Sequence, residues 1–337
     1  MKYTAAIIGC GSIGTNKPDK IDYPGSPNIL THANAINAHL DVELFALIDN
    51  NKDQLRKATT KWQPQISADN YDNLIMGHKV PDIIVVAVPT KHHFEVINDI
   101  LSHPEKPKLL IVEKPFCENI DEVIALKETY GIPFLVDYIR RFANGFKGIK
   151  KKIDSDEYGR ALNCRILYTR GLKHEGCHGI DLMRYFFGEC ELFDPDQNYP
   201  FLHSQQIGKG IFDRDKDDPT ICIILESEKC SNIIFQPCDG REYGIFEVDI
   251  CFEKTRLRFI DNGLYVEHYH INEENEWGHK SLDYSLTSTI RKETGLTTAL
   301  YNVIDNAVQF LDGKEDLICT IEDAIKVHEI LDDGGVK

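Results

Sequence analysis

Long apolar runs are missing from this chain of 337 residues. No stretch approaches the roughly 18 apolar residues that a membrane-spanning helix requires, and no basic segment leading into an apolar one opens the sequence. No membrane partner is therefore expected. Positive charge is scarce as well, with 38 Lys and Arg against 54 Asp and Glu and a formal charge of -16. Such a surface repels nucleic acid and anionic lipid alike, so no nucleic-acid partner is expected either. The acids are scattered, not gathered in a tail, and solubility is the plain reading of their excess. Cysteine pairs are absent: none of the ten cysteines stands in a Cys-x-x-Cys pair or at a metal-type spacing, and Cys222 and Cys251 lie inside apolar strand-like runs. That pattern fits reduced thiols in a cytoplasmic protein and gives no metal site. Internal repeats and low-complexity segments are lacking too.

What the sequence does have is concentrated near its start. Thr4 to Gly14 read Thr-Ala-Ala-Ile-Ile-Gly-Cys-Gly-Ser-Ile-Gly, an apolar run flowing into G-x-G-x-x-G. In a dinucleotide-binding turn Gly9 lets the chain leave the strand sharply, Gly11 lets backbone approach a pyrophosphate, and Gly14 lets the next helix pack closely. Ser12 and Ile13 complete the turn that would meet the phosphates.

From Tyr3 to Tyr138 apolar strands alternate with helical patterns. The strands are expected at Tyr3 to Ile8, Val42 to Ile48, Ile83 to Val88, Leu109 to Glu113 and Phe134 to Tyr138. Helices are expected around His32 to His39, Lys52 to Lys61, His93 to Leu101 and Ile120 to Tyr130. Strands this apolar are covered on both faces, which predicts a Rossmann-type, doubly wound parallel sheet. After about Ile139 one helix, Gly179 to Phe187, is followed by strands at Ile221 to Glu226, Asn232 to Gln236, Phe246 to Phe252, Arg256 to Ile260 and Leu264 to His270. Strands in succession imply a large, mostly antiparallel open sheet in an α+β domain. Two helices close the chain, Thr298 to Leu311 and Ile321 to Leu331, the second with Thr320 and Asp323 as a cap-like start. The expected division is a nucleotide-binding domain over 1–138 and a substrate-binding and oligomerisation domain over 139–337.

The second strand ends in Asp49, where an acid accepts hydrogen bonds from the adenosine ribose and repels a 2′-phosphate. NAD is thus expected before NADP. Asp49 lies 35 positions after Gly14, against a usual separation of about 20. The segment Thr15 to Leu30, rich in Pro and Gly, accounts for the excess as an inserted loop. Two readings of that loop stay open: Tyr23 and Pro24 close over a substrate cleft, or the loop is plain surface.

Three segments carry the chemistry. Val86 to Glu95 contains Pro89, Thr90 and His93; Ile111 to Pro115 contains Glu113-Lys114-Pro115; Lys173 to Asp181 contains His174, His178 and Asp181. With the glycine turn and Arg140-Arg141-Phe142, these motifs in this order resemble the Gfo/Idh/MocA family, which includes glucose-fructose oxidoreductase and inositol dehydrogenase. The resemblance runs through both expected domains. It implies a pyridine-nucleotide oxidoreductase acting on a CH-OH group of a sugar, cyclitol or sugar derivative, with Lys114 and His178 near the reacting carbinol. An imidazole suits the alcohol proton because its ordinary pKa is near 6.5, and a lysine can stabilise the developing alkoxide. Gly9, Gly11, Ser12, Ile13, Gly14, Asp49, Pro89, Thr90, His93, Glu113 and Lys114 are the expected cofactor residues. Lys114, Tyr138, Arg140, His174, His178 and Asp181 are expected around the substrate, one of Arg140 and Arg141 serving as an anion clamp and the other as a brace.

One departure from the family pattern stands out. Its Asp-x-Gly-x-His has His174 where the Asp belongs, so His174 either hydrogen-bonds the substrate or shares the proton transfer with His178. Tyr168 to His174 also resembles a branch associated with surface-polysaccharide gene clusters. Asp181 either supports His178 or stabilises the start of its helix. Cys177 and the alternating His268 and His270 are read as structural. Two other functions remain in view, a non-catalytic dinucleotide-binding regulator and an NAD-assisted eliminase or hydrolase. Finally, an uncovered sheet with alternating Ile, Phe and Val would be a large apolar patch, which predicts a homodimer or homotetramer.

Overall fold

The structure is a computed structural model that describes residues 2–76, 79–193, 218–272, 278–285 and 289–334. Its chain divides into two compact units, 1–143 with 297–328 and 144–296 with 329–337.

The first unit holds a six-stranded sheet in the order β3-β2-β1-β4-β5-β6. Its strands are β1 (Tyr3–Ile8), β2 (Val42–Ile48), β3 (Ile66–Ala68), β4 (Ile83–Val86), β5 (Leu109–Val112) and β6 (Phe134–Val136). Every pairing is parallel. Every residue of β4 and β5 is buried, as an apolar strand covered on both faces must be. The connecting helices are α1 (His32–Ala38), α2 (Lys52–Trp62), α3 (Tyr71–Ile75), α4 (His93–Ser102) and α5 (Ile120–Thr129). Only the short β3 and α3 escaped the sequence reading. Where strand order reverses, between β1 and β4, the sheet opens the crevice in which ligands of such folds bind.

The expected boundary at 138 and 139 is not where the chain divides. Helix α8 (Ala299–Leu311) packs on α1 in the first unit. Several bonds tie it there. Tyr3 Oη donates to Asp312 Oδ1 at 2.7 Å, Lys2 also pairs with Asp312, and Asn302 Nδ2 donates to the Phe142 carbonyl at 2.8 Å. The following segment closes an open sheet edge, because Val136 donates to the Cys319 carbonyl at 3.1 Å. Helix α9 (Ile321–Asp333) starts as its cap predicted, with Thr320 N–H donating to Asp323 Oδ2 at 3.1 Å.

The second unit is built on an eight-stranded sheet, β14-β13-β12-β11-β7-β10-β9-β8. Its strands are β7 (Ala161–Tyr168), β8 (Cys190–Leu192), β9 (Ile223–Ser227), β10 (Cys230–Pro237), β11 (Phe246–Phe252), β12 (Thr255–Ile260), β13 (Tyr265–His270) and β14 (Ile290–Glu293). All pairings are antiparallel except β7 with β10. Among the described residues, helices α6 (Asn144–Asp154) and α7 (Cys177–Phe187) serve it. Phe146 of α6 stacks on Phe259 at 4.8 Å between ring centres, and Phe186 of α7 lies 6.1 Å from the same ring. Helix α7 comes so near the sheet that a Cβ at Gly179 would stand 2.7 Å from the Phe235 ring.

The sheet's apolar alternation is spent on that covered face. Phe246, Val248, Ile250 and Phe252 are buried, while Glu247 and Asp249 lie on the opposite side. There Arg256 Nε donates to Asp249 Oδ1 at 2.8 Å, and Arg165 and Arg258 pair with Asp249, Glu247 and Glu267 within 3.7–3.9 Å. The expected apolar patch is therefore not present on these strands; crossed ion pairs stand in its place.

Candidate functional site

The glycine turn is built as its residues require. Gly9 has φ +105°, and a Cβ there would fall 2.5 Å from the Ala87 carbonyl oxygen, so the ends of β1 and β4 touch through it. A Cβ at Gly14 would meet the Gly9 carbonyl at 2.0 Å, whereas at Gly11 it would meet nothing within 4 Å. The first and third glycines thus serve packing, and the second faces open space where a pyrophosphate can approach. Ser12 is exposed on the turn, and Ile13 is half-buried.

The turn does not run straight into a helix. Thr15 N–H closes one turn on the Gly11 carbonyl, the chain departs, and on its return His32 and Ala33 donate to the carbonyls of Ile13 and Gly14, each at 3.0 Å. The segment Thr15 to Leu30 is spliced into the first helix after a single turn, which accounts for the long spacing to Asp49. The loop has its own anchors. Buried Asp22 accepts from Leu30 N at 3.0 Å, Thr31 Oγ1 at 2.8 Å and Asn34 Nδ2 at 2.9 Å, and Trp62 Nε1 donates to the Thr15 carbonyl at 2.9 Å. Asn16, Asp19 and Tyr23 line a cavity of about 520 Å³ with Arg56, Lys57 and Lys61 of α2, so the loop lies along α2.

A groove of about 680 Å³ opens outside the C-terminal ends of β1, β2 and β4, lined by Gly9, Gly11, Asp49, Asn51, Val88 and Pro89 among others. Asp49 is fixed at its floor: Cys10 N–H donates to Oδ2 and Asn51 N–H to Oδ1, both at 2.7 Å. Pro89 and half-buried Thr90 begin the short helical turn that leads into α4. The space beside Gly11 and the fixed carboxylate of Asp49 fit a dinucleotide's pyrophosphate and ribose.

Two expected cofactor residues sit elsewhere. His93 is buried with Nδ1 3.0 Å from the Phe116 carbonyl and Nε2 2.8 Å from the Val88 carbonyl. Burial pulls its pKa down, against the opposing pull of those carbonyls. It braces the two loops that carry Pro89 and Lys114 and does not line the groove. Glu113 is also turned inward: its Oε1 lies 2.8 Å from Nε2 of fully buried His32. Sequence reasoning missed His32 because a lone histidine opening a helix gives no signal until the fold brings residue 113 to it. Lys114 is half-buried on the turn after β5. Tyr138 and Arg140 are buried just beyond β6. Arg141 is the brace, donating to the Ile318 carbonyl at 3.3 Å and pairing with Asp323 at 3.0 Å, which leaves Arg140 as the candidate clamp.

In the second unit His174 and His178 flank the entry to α7. Residues Leu172–Gly176 form one widened turn running into the helix, with Glu175 and Gly176 both donating to the Gly171 carbonyl. His174 is exposed and His178 half-buried. A carboxylate that the motif lacks at position 174 arrives from far along the chain. Asp218 accepts the peptide N–H of Lys173 at 2.7 Å and of His174 at 2.8 Å, and so pins the turn. Nothing in local spacing could have found it, 44 residues downstream. Asp181 is buried and lies beyond the first turn of α7, which removes the helix-start reading. Cys177 is buried with Sγ 3.5 Å from the His174 carbonyl, a packed thiol. On β13, His268 is half-buried and its pKa is pushed down to about 4 by burial and the charges of Lys292 and Lys152.

A nucleotide groove at the reversal point of a parallel sheet, with a second unit on a large mixed sheet, defines a Rossmann-type two-domain protein. Residues 3–131 match the Gfo/Idh/MocA oxidoreductase family, NAD-binding Rossmann fold. The likeness to that family is carried by the nucleotide-binding stretch of the first unit. The chain is similar to scyllo-inositol 2-dehydrogenase (NAD(+)) of Bacillus subtilis (strain 168), 29% identical over 126 residues, which are 32% of this chain and 35% of that protein. The match thus spans about a third of that curated relative. Over nearly its whole length the fold resembles a putative myo-inositol dehydrogenase from Sinorhizobium meliloti 1021, with TM-score 0.68 and 15% identity, covering 99% of this chain and 97% of that one. It resembles equally a super-repressor mutant of Gal80p from Saccharomyces cerevisiae, with TM-score 0.69 and 13% identity over 99% and 95% of the two chains.

Proposed function

We propose that the protein is an NAD-dependent oxidoreductase that moves hydride between the nicotinamide and a secondary alcohol or ketone of a cyclitol, sugar or nucleotide-linked sugar. The observation that carries this reading is the groove itself, in which Asp49 is held by the glycine turn two strands away from the Lys114 turn. The likeness of residues in the first unit to an NAD(+)-dependent inositol dehydrogenase supports it. When bound, NAD would supply the hydride acceptor. The chain's own part is to hold the adenosine ribose at Asp49, to admit the pyrophosphate beside Gly11, and to handle the alcohol's charge and proton. Lys114 is proposed to stabilise the alkoxide oxygen, and His178 to take the proton, with His174 as its exposed neighbour. Tyr138, Arg140 and Asp181 are proposed around the substrate.

The test is net NADH production from a panel of cyclitols, free sugars and nucleotide-linked sugars. Turnover with at least one of them is expected, and NAD should outperform NADP; Asp49→Ala should narrow that preference, and equal use of both cofactors by the intact protein would remove Asp49 from it. The likeness to Gal80p keeps a second reading, a dinucleotide-binding regulator without turnover. NAD binding with no turnover on any panel member, and no eliminated or hydrolysed product, would favour it. A role in surface-polysaccharide synthesis rests on the Tyr168 to His174 phrase alone, and a nucleotide-linked substrate would support it. Self-association as a homodimer or homotetramer is proposed through the ionic face of the second sheet, so light scattering should show a mass that falls as salt rises.

A further inference from the structure

Behind the Lys114 turn lie three ionisable side chains packed into one buried cluster. His32 opens α1, Glu113 follows β5 and Asp137 follows β6. His32 is fully buried, and Asp137 and Glu113 are 3% and 9% exposed. A ring nitrogen of His32 and one carboxyl oxygen from each acid all lie within 4.8 Å of one another. His32 Nε2 is 2.8 Å from Glu113 Oε1 and 3.6 Å from Asp137 Oδ2. Glu113 Oε2 also accepts the peptide N–H of Lys114 at 3.3 Å. None of these groups lines the nucleotide groove.

Two carboxylates this close in a dry interior cannot both carry charge, since like charges in low dielectric raise the cost of the second ionisation. The surroundings decide which keeps it. Glu113 faces His32 and Lys114, and the His32 hydrogen bond with the charges of both holds its pKa down although burial alone would raise it. Asp137 is pushed up to about 8 by burial and the Glu113 charge, against weaker help from His32 and Lys114. Burial alone would lower His32, but Glu113 and Asp137 outweigh it and raise its pKa. A protonated carboxyl has what an ionised one lacks, an O–H to donate.

We propose that Asp137 acts as a hydrogen-bond donor to Glu113, and that His32, Asp137 and Glu113 together are a positioning unit for Lys114, the two donors allowing Glu113 to remain ionised while it grips the Lys114 main chain. The charge is thereby held one residue from the lysine. This inference rests on the oxidoreductase reading for its kinetic consequence but not for its chemistry. If Asp137 loses its proton at alkaline pH, the pair repels, the donor is lost and the turn loosens.

Two measurements separate the inference from the function it serves. Infrared difference spectra of wild type minus Asp137→Asn at neutral pH should show the carbonyl band of a protonated carboxylic acid; absence of that band overturns the proposal whether or not the protein is a dehydrogenase. In turnover assays Asp137→Asn, which keeps an N–H donor and cannot ionise, should move the alkaline limb of kcat upward by at least one pH unit. Asp137→Leu, if it folds, should lower kcat about tenfold at every pH with NAD affinity held. An alkaline limb that stays put in Asp137→Asn would overturn the proposal, as would a divalent cation retained stoichiometrically after dialysis, for a cation and not a proton would then neutralise the carboxylates.

Discussion

At the residue scale the structure separates the half-buried candidates Lys114 and His178 from the groups that hold their turns. Lys114 sits half-buried on its turn, and His178 begins a helix whose approach is pinned by Asp218. Lys114→Ala and His178→Ala should each lower kcat by about a hundredfold or more with NAD affinity near wild type, because acid-base and charge-stabilising groups contribute 10² to 10⁴. Isothermal titration beside steady-state kinetics checks both halves, and wild-type turnover in either variant would take that residue out of the mechanism. Asp137 gives a stability prediction with a definite sign. Its pKa is raised from 3.8 to about 8, so the folded chain keeps a proton that the unfolded chain loses. The resulting stabilisation is complete below about 4 and is lost as pH rises towards about 8. Asp137→Asn escapes that loss, so its stability relative to wild type should grow from pH 5 to pH 8 in denaturant titrations. A constant difference would mean that Asp137 is ionised in the folded protein.

At the element scale the spliced first helix and the α6 contact are the informative features. The loop from Thr15 to Leu30 is held by fully buried Asp22, which serves three donors at once. Asp22→Ala should cost about 3 kcal/mol, since stranded buried donors cost about 1–3 kcal/mol each and partial relaxation recovers some of it. A loss below about 1 kcal/mol in chemical denaturation would show that the loop is not tied to α1. In the second unit Phe146 fills the space between α6, α7 and β12. Phe146→Ala should cost about 3–5 kcal/mol, the usual range for emptying a buried aromatic site. Helix α6 was not legible in the sequence although Phe146, Ile149 and Ile153 keep helical spacing. Two glycines and four lysines in Asn144–Asp154 dilute the signal, and the reason for one glycine lies outside the helix: a Cβ at Gly145 would meet the Thr294 backbone at 2.7 Å.

At the scale of the whole molecule the two units are not consecutive stretches of chain. Residues 297–328 return to the first unit, where α8 covers α1 and Cys319 pairs with the edge of β6. A fragment ending at Tyr138 would expose the buried face of α1 and an open strand edge, and it should lack a cooperative unfolding transition and aggregate. A cooperative melt of that fragment would show that the C-terminal helices are dispensable to the nucleotide-binding fold. The sequence by itself determined the parallel sheet, its glycine turn, the Asp49 position and the candidate chemistry at Lys114, His174 and His178. Those features rest on local rules, namely apolar runs of strand length, glycine where backbone must approach backbone, and reactive side chains just past strand ends. The tertiary structure alone decided the rest. It turned His93 and Glu113 inward, brought Asp218 to the His174 turn, set an ionic face where an apolar one was expected, and joined His32, Glu113 and Asp137. Each of those outcomes is a meeting of residues distant in sequence, and which polar groups share a buried space is fixed by packing, to which residue type and spacing are blind.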